Sequence, residues 1–145
     1  MKMPTDLSWV NGYLGLPYLD KGRSRAGVDC WGPPYIVYAE QLGIELPSYD
    51  DRYANAAERA EISAIVAEAA ASPTWTKIGK PRAFDIAVFK LDKGGSHVGL
   101  VIEPGQMLHV YEPGDFTHVE AYDGLRWGNR LLGIFRHREL LGRVA

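Results

Sequence analysis

Apolar and polar positions along this chain follow two different periods, and the change of period falls near Pro73. Before it, apolar residues recur at helical spacing. Trp31, Tyr35, Tyr38 and Leu42 form one stripe, and Ile62, Ile65, Val66 and Ala69 form a second. The first stripe predicts a helix over 30–42, with Gly43 placed to cap its C-terminus. Pro33 and Pro34 fall in its first turn, where the N–H groups have no intrahelical partner to lose. Pro34 also biases Pro33 away from helical backbone, so a start one or two residues later fits equally. The second stripe predicts a helix over 55–71, with Asn55 as N-cap, Glu58 three residues on as in a capping box, and Pro73 as terminator. The segment before Cys30, rich in Gly, Pro and aromatics, reads as loop with one short helix over 7–14. After Pro73 the pattern reads as strands, over 84–91, 97–102, 107–111 and 131–136. Helices first and an antiparallel sheet second is the order of an α+β domain.

The chain has 145 residues, 46% hydrophobic and 23% charged, and shows no repeat or low-complexity segment. These are the proportions of one globular domain spanning 1–145, long enough to bury a core. A formal charge of −2 with no run of Lys or Arg argues against a nucleic-acid partner. There is no stretch of eighteen apolar residues, so no membrane span is expected. The N-terminus lacks the basic, apolar and small-residue sequence of a signal peptide. Cys30 is the single cysteine, which excludes an internal disulfide and a cysteine-based metal cluster.

A lone cysteine is ordinarily a small buried hydrophobe. Gly27, Asp29 and Gly32 set Cys30 in a different context, a loop that runs at once into a helix. The positive end of a helix dipole and its unpaired N–H groups favour thiolate over thiol, and the thiolate is the nucleophile. The same N–H groups can hold an oxyanion. His97 opens one predicted strand and His109 lies on the next, with Glu103-Pro104-Gly105 between them as a three-residue hairpin loop. That loop pairs Ile102 with Gln106 and Gly99 with His109. His97 and His109 then share a sheet face, diagonal to each other with Cα atoms about 7–8 Å apart. A two-residue loop would put one histidine on the other face. On the shared face, His97 can take a proton from Cys30 and His109 can hold the imidazole of His97 in the useful tautomer. Two alternatives stand beside this. Each histidine can be a hydrogen-bonded sheet residue, or the pair with Asp85 can bind a metal, although no tight ligand spacing supports that set.

Gly15-Leu16-Pro17-Tyr18, Gly27-Val28-Asp29-Cys30-Trp31-Gly32 and Gly43-Ile44-Glu45-Leu46-Pro47 resemble the first half of an NlpC/P60 domain. Phe84-Asp85-Ile86-Ala87-Val88-Phe89, His97-Val98-Gly99-Leu100-Val101 and Met107-Leu108-His109-Val110 resemble the second half. The resemblance covers roughly 9–136, and the twelve-residue step from His97 to His109 matches the family pattern. It implies a papain-like α+β core with N-terminal helices packed on a small barrel-like antiparallel sheet, and a helical insert near 54–72. It implies Cys30 as nucleophile, His97 as general base and acid, and His109 as orienting third member, with no metal or organic cofactor. Tyr18 resembles the tyrosine beside the nucleophile, against a plain core aromatic. Asp29 resembles the aspartate that receives a substrate amino group, against a helix-capping carboxylate. Trp31 departs from the small residue of many members and puts the shape of the cleft in question. Phe84 replaces a common glycine. Arg23 and Arg25, with Lys21, read as a solvated loop or as partners of a substrate carboxylate.

The implied activity is that of a cysteine peptidase acting on a peptidoglycan stem peptide, with the bond after D-glutamate as the family's natural choice. The Asp-Cys-Trp-Gly run, His109-Val110-Tyr111-Glu112-Pro113 and the stretch 126–136 resemble the short members encoded with tail genes of phages and gene transfer agents. That implies tail proteins as partners and a place on a particle tail, acting in the wall or periplasm of a target cell. Two rival readings remain. One is a non-catalytic tail component that binds wall or tail proteins, and the other is a papain-like amidase or acyltransferase on a non-wall substrate.

Overall fold

A computed structural model describes residues 6–53, 59–92 and 94–143. The expected short N-terminal helix is a 3-10 helix, Ser8–Tyr13. A two-stranded hairpin follows, β1 (Arg23–Ser24) and β2 (Gly27–Val28). Helix α1 (Gly32–Val37) begins two residues after Cys30, with prolines in its first turn as the sequence allows. It widens to π geometry over Tyr38–Leu42 and ends at Gly43, whose φ is +67°. Helix α2 covers Arg59–Ala70, while the expected cap at Asn55 and Glu58 lies outside the described residues.

The rest is sheet, as the change of period predicts. β3 (Trp75–Ile78), β4 (Ile86–Lys90), β5 (Ser96–Glu103), β6 (Gln106–His109), β7 (His118–Ala121) and β8 (Leu131–His137) pair in the order β3-β8-β4-β5-β6-β7, all antiparallel. β3 and β7, which the periodicity does not predict, are the two edges. The helices lie on one face of this sheet, and the domain is α+β. On that face Val98, Leu100 and Ile102 of β5 join Ile36, Val37, Leu42, Ile62 and Ile65 in one core cluster. On the opposite face Ala87, Phe89, Val101, Met107, Trp127 and Ile134 form a second. Alternation along β5 thus serves two buried faces, which is why the strand reads as nearly continuous apolar sequence.

Two residues at the head of β4 tie the layers together. Phe84 sits in left-handed backbone with φ +76°, a region that favours glycine. Its ring is fully buried and stacked on Trp9 with centroids 4.9 Å apart, and the Tyr38 hydroxyl donates to its carbonyl. Asp85, fully buried, accepts from Arg136 Nε at 2.8 Å and Nη2 at 2.7 Å, joining β4 to β8.

Candidate active site

Cys30 is carried by a tightly clamped turn. Val28 donates its N–H to Pro17 O at 2.9 Å and receives the N–H of Leu19 at 2.9 Å, so Tyr18 runs alongside the segment that leads to the thiol. Gly32 leaves no room for a side chain. A Cβ there would lie 2.4 Å from Val28 Cβ and 2.7 Å from Gly22 O. The Cys30 side chain is buried at 2% exposure. α1 packs against β5, the strand that opens with Ser96 and His97. Cys30 and Val98, the neighbour of His97, line one apolar groove together with Trp31, Ile62, Ile65 and Val66.

The two histidines meet. His97 Nε2 lies 2.8 Å from His109 Nδ1, and both residues are fully buried. The turn that brings them together differs from the expected one. Glu103 pairs with Gln106, leaving the two-residue loop Pro104-Gly105, and Gly105 adopts φ +91° as the second position of such a turn requires. Ile102 therefore does not face Gln106. A register shift between Val101 and Glu103 absorbs one residue, and upstream of it Val101 pairs with Met107 and Leu100 with Leu108. That is the register a three-residue loop would give. The bulge restores the parity that a plain two-residue loop would break, so both imidazoles stay on one face.

The network extends one strand beyond the residues the sequence singles out. His109 pairs with His118 across β6 and β7, and His109 Nε2 lies 2.8 Å from Glu120 Oε1. Burial pulls the pKa of His109 down to about 4, and the Glu120 carboxylate acts in the opposite sense without cancelling it. Partial burial is the largest single effect on the Glu120 carboxyl and raises it, but His109, Trp127 and Arg126 together leave the group below its ordinary value. The pair is thus a neutral imidazole beside a carboxylate. His97 stacks on the fully buried Trp127 with centroids 4.9 Å apart, and Tyr111 meets it edge-on at 5.3 Å. Glu120, His118 and Trp127 carry no assigned role in the sequence reading. His118-Val119-Glu120 alternates as a strand would, but four residues with two charged or polar positions are too short a signal to stand out.

The remaining candidates are built into the scaffold. Asp29 is fully buried and each of its oxygens accepts twice. Oδ1 takes Trp31 N at 3.1 Å and Arg23 Nη1 at 2.7 Å, while Oδ2 takes Lys21 N at 3.1 Å and the Tyr53 hydroxyl. About four lone-pair sites are all a carboxylate offers. The expectation that Asp29 receives a substrate amino group is therefore corrected, and Asp29 does not cap α1 either, since the N–H it accepts is that of Trp31, the residue before the helix. Arg23 is corrected in the same way. Its Nε donates to Ser48 O, Nη1 to Gly22 O and Asp29, and Nη2 to Ser48 O and Tyr53 Oη, which uses all five N–H groups. Burial opposes the charge of Arg23, yet Asp29 and Tyr53 together outweigh it and hold the guanidinium above its ordinary pKa. Arg25 is exposed, as the solvated-loop reading expects, and its charge is already paired. It pairs with Glu40 at 2.8 Å and lies 4.7 Å over the Tyr13 ring. Tyr18 is half-buried and donates its hydroxyl to Asp20 at 2.9 Å. Trp31 donates to Pro47 O at 2.8 Å and forms one wall of the groove beside the thiol.

Asp85, bound to Arg136 at the other end of β4, does not join the histidines, so the metal set weighed from the sequence does not assemble. His109, His118 and Glu120 do bring three ligating atoms within 4.8 Å of one another. The His109–Glu120 contact at 2.8 Å is shorter than the ~3.3 Å edge of a tetrahedron with zinc–nitrogen bonds of about 2.0–2.1 Å. The cluster is organised as a hydrogen-bond chain.

Similarity to known proteins runs over the same segments. The NlpC/P60 family matches residues 15–136. A probable endopeptidase p60 of Listeria grayi is 28% identical over 124 residues, covering 86% of this chain and 20% of that protein. The chain thus spans about a fifth of the length of that relative. The crystal structure of the NlpC/p60 domain of the peptidoglycan hydrolase SagA superposes with a TM-score of 0.59 at 19% identity, covering 87% of this chain and 91% of that one. An NlpC/P60 family protein from Bacillus cereus ATCC 10987 superposes with a TM-score of 0.64 at 23% identity, covering 93% of this chain and 41% of that one. At these identities the superpositions speak for the fold.

Proposed function

Because this chain belongs to the NlpC/P60 family, we propose that it is a cysteine endopeptidase that hydrolyses an amide bond in peptidoglycan stem peptides. The observation that carries this reading is the imidazole pair, 2.8 Å apart, on the sheet against which the Cys30 helix packs. The assigned roles follow from that arrangement. His97 removes the thiol proton, and the Cys30 sulfur attacks the carbonyl carbon. The resulting oxyanion lies near the backbone N–H of Cys30. The C–N bond breaks as His97 returns the proton to the leaving amine, giving a thioester and a free amino terminus. Water, deprotonated by His97, then attacks the thioester and releases the carboxylate and the thiol. His109 keeps the ring of His97 in place throughout.

The bond after D-glutamate is the preferred substrate position within this proposal. The relatives that bear on the substrate are the endopeptidase p60 and the SagA hydrolase. We further propose that the enzyme is carried on the tail of a phage or gene-transfer-agent particle and acts in the wall or periplasm of the target cell. That part rests on the runs around Cys30, His109 and Trp127 in the sequence. Incubation with purified peptidoglycan, followed by mass spectrometry of the soluble muropeptides, tests the chemistry. Wild type should release fragments with a new amino terminus, and C30A should release none. Intact muropeptides from wild type would overturn it. A tail location predicts that the protein co-purifies with intact particles at defined stoichiometry.

One observation favours a second reading. The groove beside Cys30 is lined by Trp31, Tyr49, Ile62, Ile65 and Val66, an apolar surface. It suits an apolar acyl group better than a charged stem peptide, as in an amidase or acyltransferase of papain-like fold. Turnover of acyl-amide substrates with no action on muropeptides would select it.

A further inference from the structure

We propose that Glu120 is a positioning residue that sets the tautomers of both imidazoles, extending the site to a chain of four from Glu120 through His109 and His97 to Cys30. The proposal rests on the assignment of Cys30 and His97 made above. Its basis is two contacts in series, Glu120 Oε1 to His109 Nε2 at 2.8 Å and His109 Nδ1 to His97 Nε2 at 2.8 Å.

Only one arrangement of protons satisfies both contacts with neutral rings. An ionised carboxylate accepts and cannot donate, so the proton between Glu120 and His109 sits on His109 Nε2. A neutral imidazole carries one N–H, which leaves His109 Nδ1 with a lone pair. That lone pair must receive a proton from His97, so His97 is the Nε2–H tautomer. The basic nitrogen of His97 is then Nδ1, which is fully buried on the ring edge away from His109. Glu120 thus decides, two residues away, which nitrogen of His97 can take the thiol proton. Remove the carboxylate and His109 is free to turn its N–H toward His97. His97 Nε2 then has to accept, the proton moves to Nδ1, and the ring can no longer act as a base toward Cys30.

The surroundings suit this role. His118 Nε2 lies 3.3 Å and Arg126 Nη1 3.4 Å from the same Glu120 oxygen, and the Arg126 guanidinium favours the ionised carboxylate. His118 is itself placed by Phe116 O at 2.8 Å from Nδ1 and by Asp115 at 3.7 Å. Tyr111 and Trp127 pack on the His97 ring, with centroids 5.3 and 4.9 Å away, and hold it against His109. The Arg126 pair is half exposed and too weak to be the reason for the carboxylate.

The test uses the whole protein and a readout that needs no wall substrate. Iodoacetamide alkylation of Cys30 is followed from pH 5 to 9 in wild type, H97A, E120L, E120A, E120Q and E120D, with thermal melts to establish folding. Long-range 15N NMR of the imidazoles reports the tautomers directly. Expected results are Nε2–H forms for both rings in wild type and a switched His109 in E120L. Alkylation of E120L at pH 6 should fall about tenfold or more, with partial recovery in E120D, in line with the 10–100-fold effects of comparable orienting groups. On muropeptides, kcat should fall by a similar factor while KM stays within about twofold. If E120L does not fold, E120A carries the comparison, because the amide oxygen of E120Q can still accept from His109 Nε2. A wild-type alkylation profile and unchanged tautomers in folded E120L or E120A, with H97A altered, would overturn the role of Glu120 alone. A wild-type profile in H97A would overturn the Cys30–His97 pairing and the four-member chain with it.

Discussion

The ring of His97 lies on the ring of Trp127, centroids 4.9 Å apart and planes 27° apart, and both residues are fully buried. An indole face attracts a cation. The stack therefore favours the imidazolium that forms when His97 takes a proton, by about 0.5–2 kcal/mol. Truncation to Ala would confuse this effect with a large cavity. W127F keeps an aromatic face and should stay within about threefold of wild-type kcat. W127L keeps apolar bulk without the face, and its kcat should fall about 2- to 30-fold with little change in KM. Equal kcat for the two folded variants would remove the cation–π argument.

Arg23 shows how a residue in a promising place can belong to the scaffold. All five of its donors are used inside the protein, and its partner Asp29 is fully buried. R23A would leave that carboxylate without its counter-charge, a change that typically destabilises by about 3–5 kcal/mol. Urea unfolding should show that loss, and whatever fraction remains folded should keep its KM. A stable R23A with raised KM would instead restore the substrate-binding reading.

Much of this arrangement is legible in the sequence because it is local or periodic. The apolar stripe ending at Gly43 marks the first helix, and the continuous apolar run of β5 marks a doubly buried strand. The twelve-residue step from His97 to His109 carries the histidine register even though the turn itself is different, because the bulge at Ile102 and the shorter loop compensate each other. Other features are not legible for physical reasons. β3 and β7 are four-residue edge strands, too short for a period to stand out. Glu120 enters the site only through the pairing of β7 with β6, a contact that no local pattern encodes. Asp29 and Arg23 look available for a ligand until Tyr53 and Ser48, more than twenty residues away, are seen to occupy them.

Phe84 stands where left-handed backbone favours glycine, with φ +76°, and its ring is fully buried against Trp9. Both F84A and F84G lose the ring, at a typical loss of about 3–5 kcal/mol. They differ in backbone. Alanine retains a strain of about 1–2 kcal/mol in this region, whereas glycine has almost none. The usual order should therefore invert, with F84G more stable than F84A by about 1 kcal/mol in urea unfolding. The ordinary order, alanine above glycine, would show that the backbone relaxes out of the left-handed region once the ring is gone.

His109 makes stability depend on pH with a sign that can be worked out. Burial holds its native pKa at about 4, against about 6.5 in the unfolded chain. Above pH 6.5 both states carry the neutral ring and the group has no effect. Between 6.5 and 4 the unfolded state binds a proton that the native state does not, so unfolding gains with every step down in pH. Over the whole window that amounts to roughly 3 kcal/mol. His137, also pulled down chiefly by burial, acts in the same direction. Urea unfolding at pH 7, 6, 5 and 4 should show stability falling steadily across this range. H109Q, which can still hydrogen-bond but cannot titrate, should start less stable at pH 7 and lose less on acidification. Parallel curves for wild type and H109Q would mean that the buried ring does not stay neutral, and that the proton reaches His109 in the native state at ordinary pH.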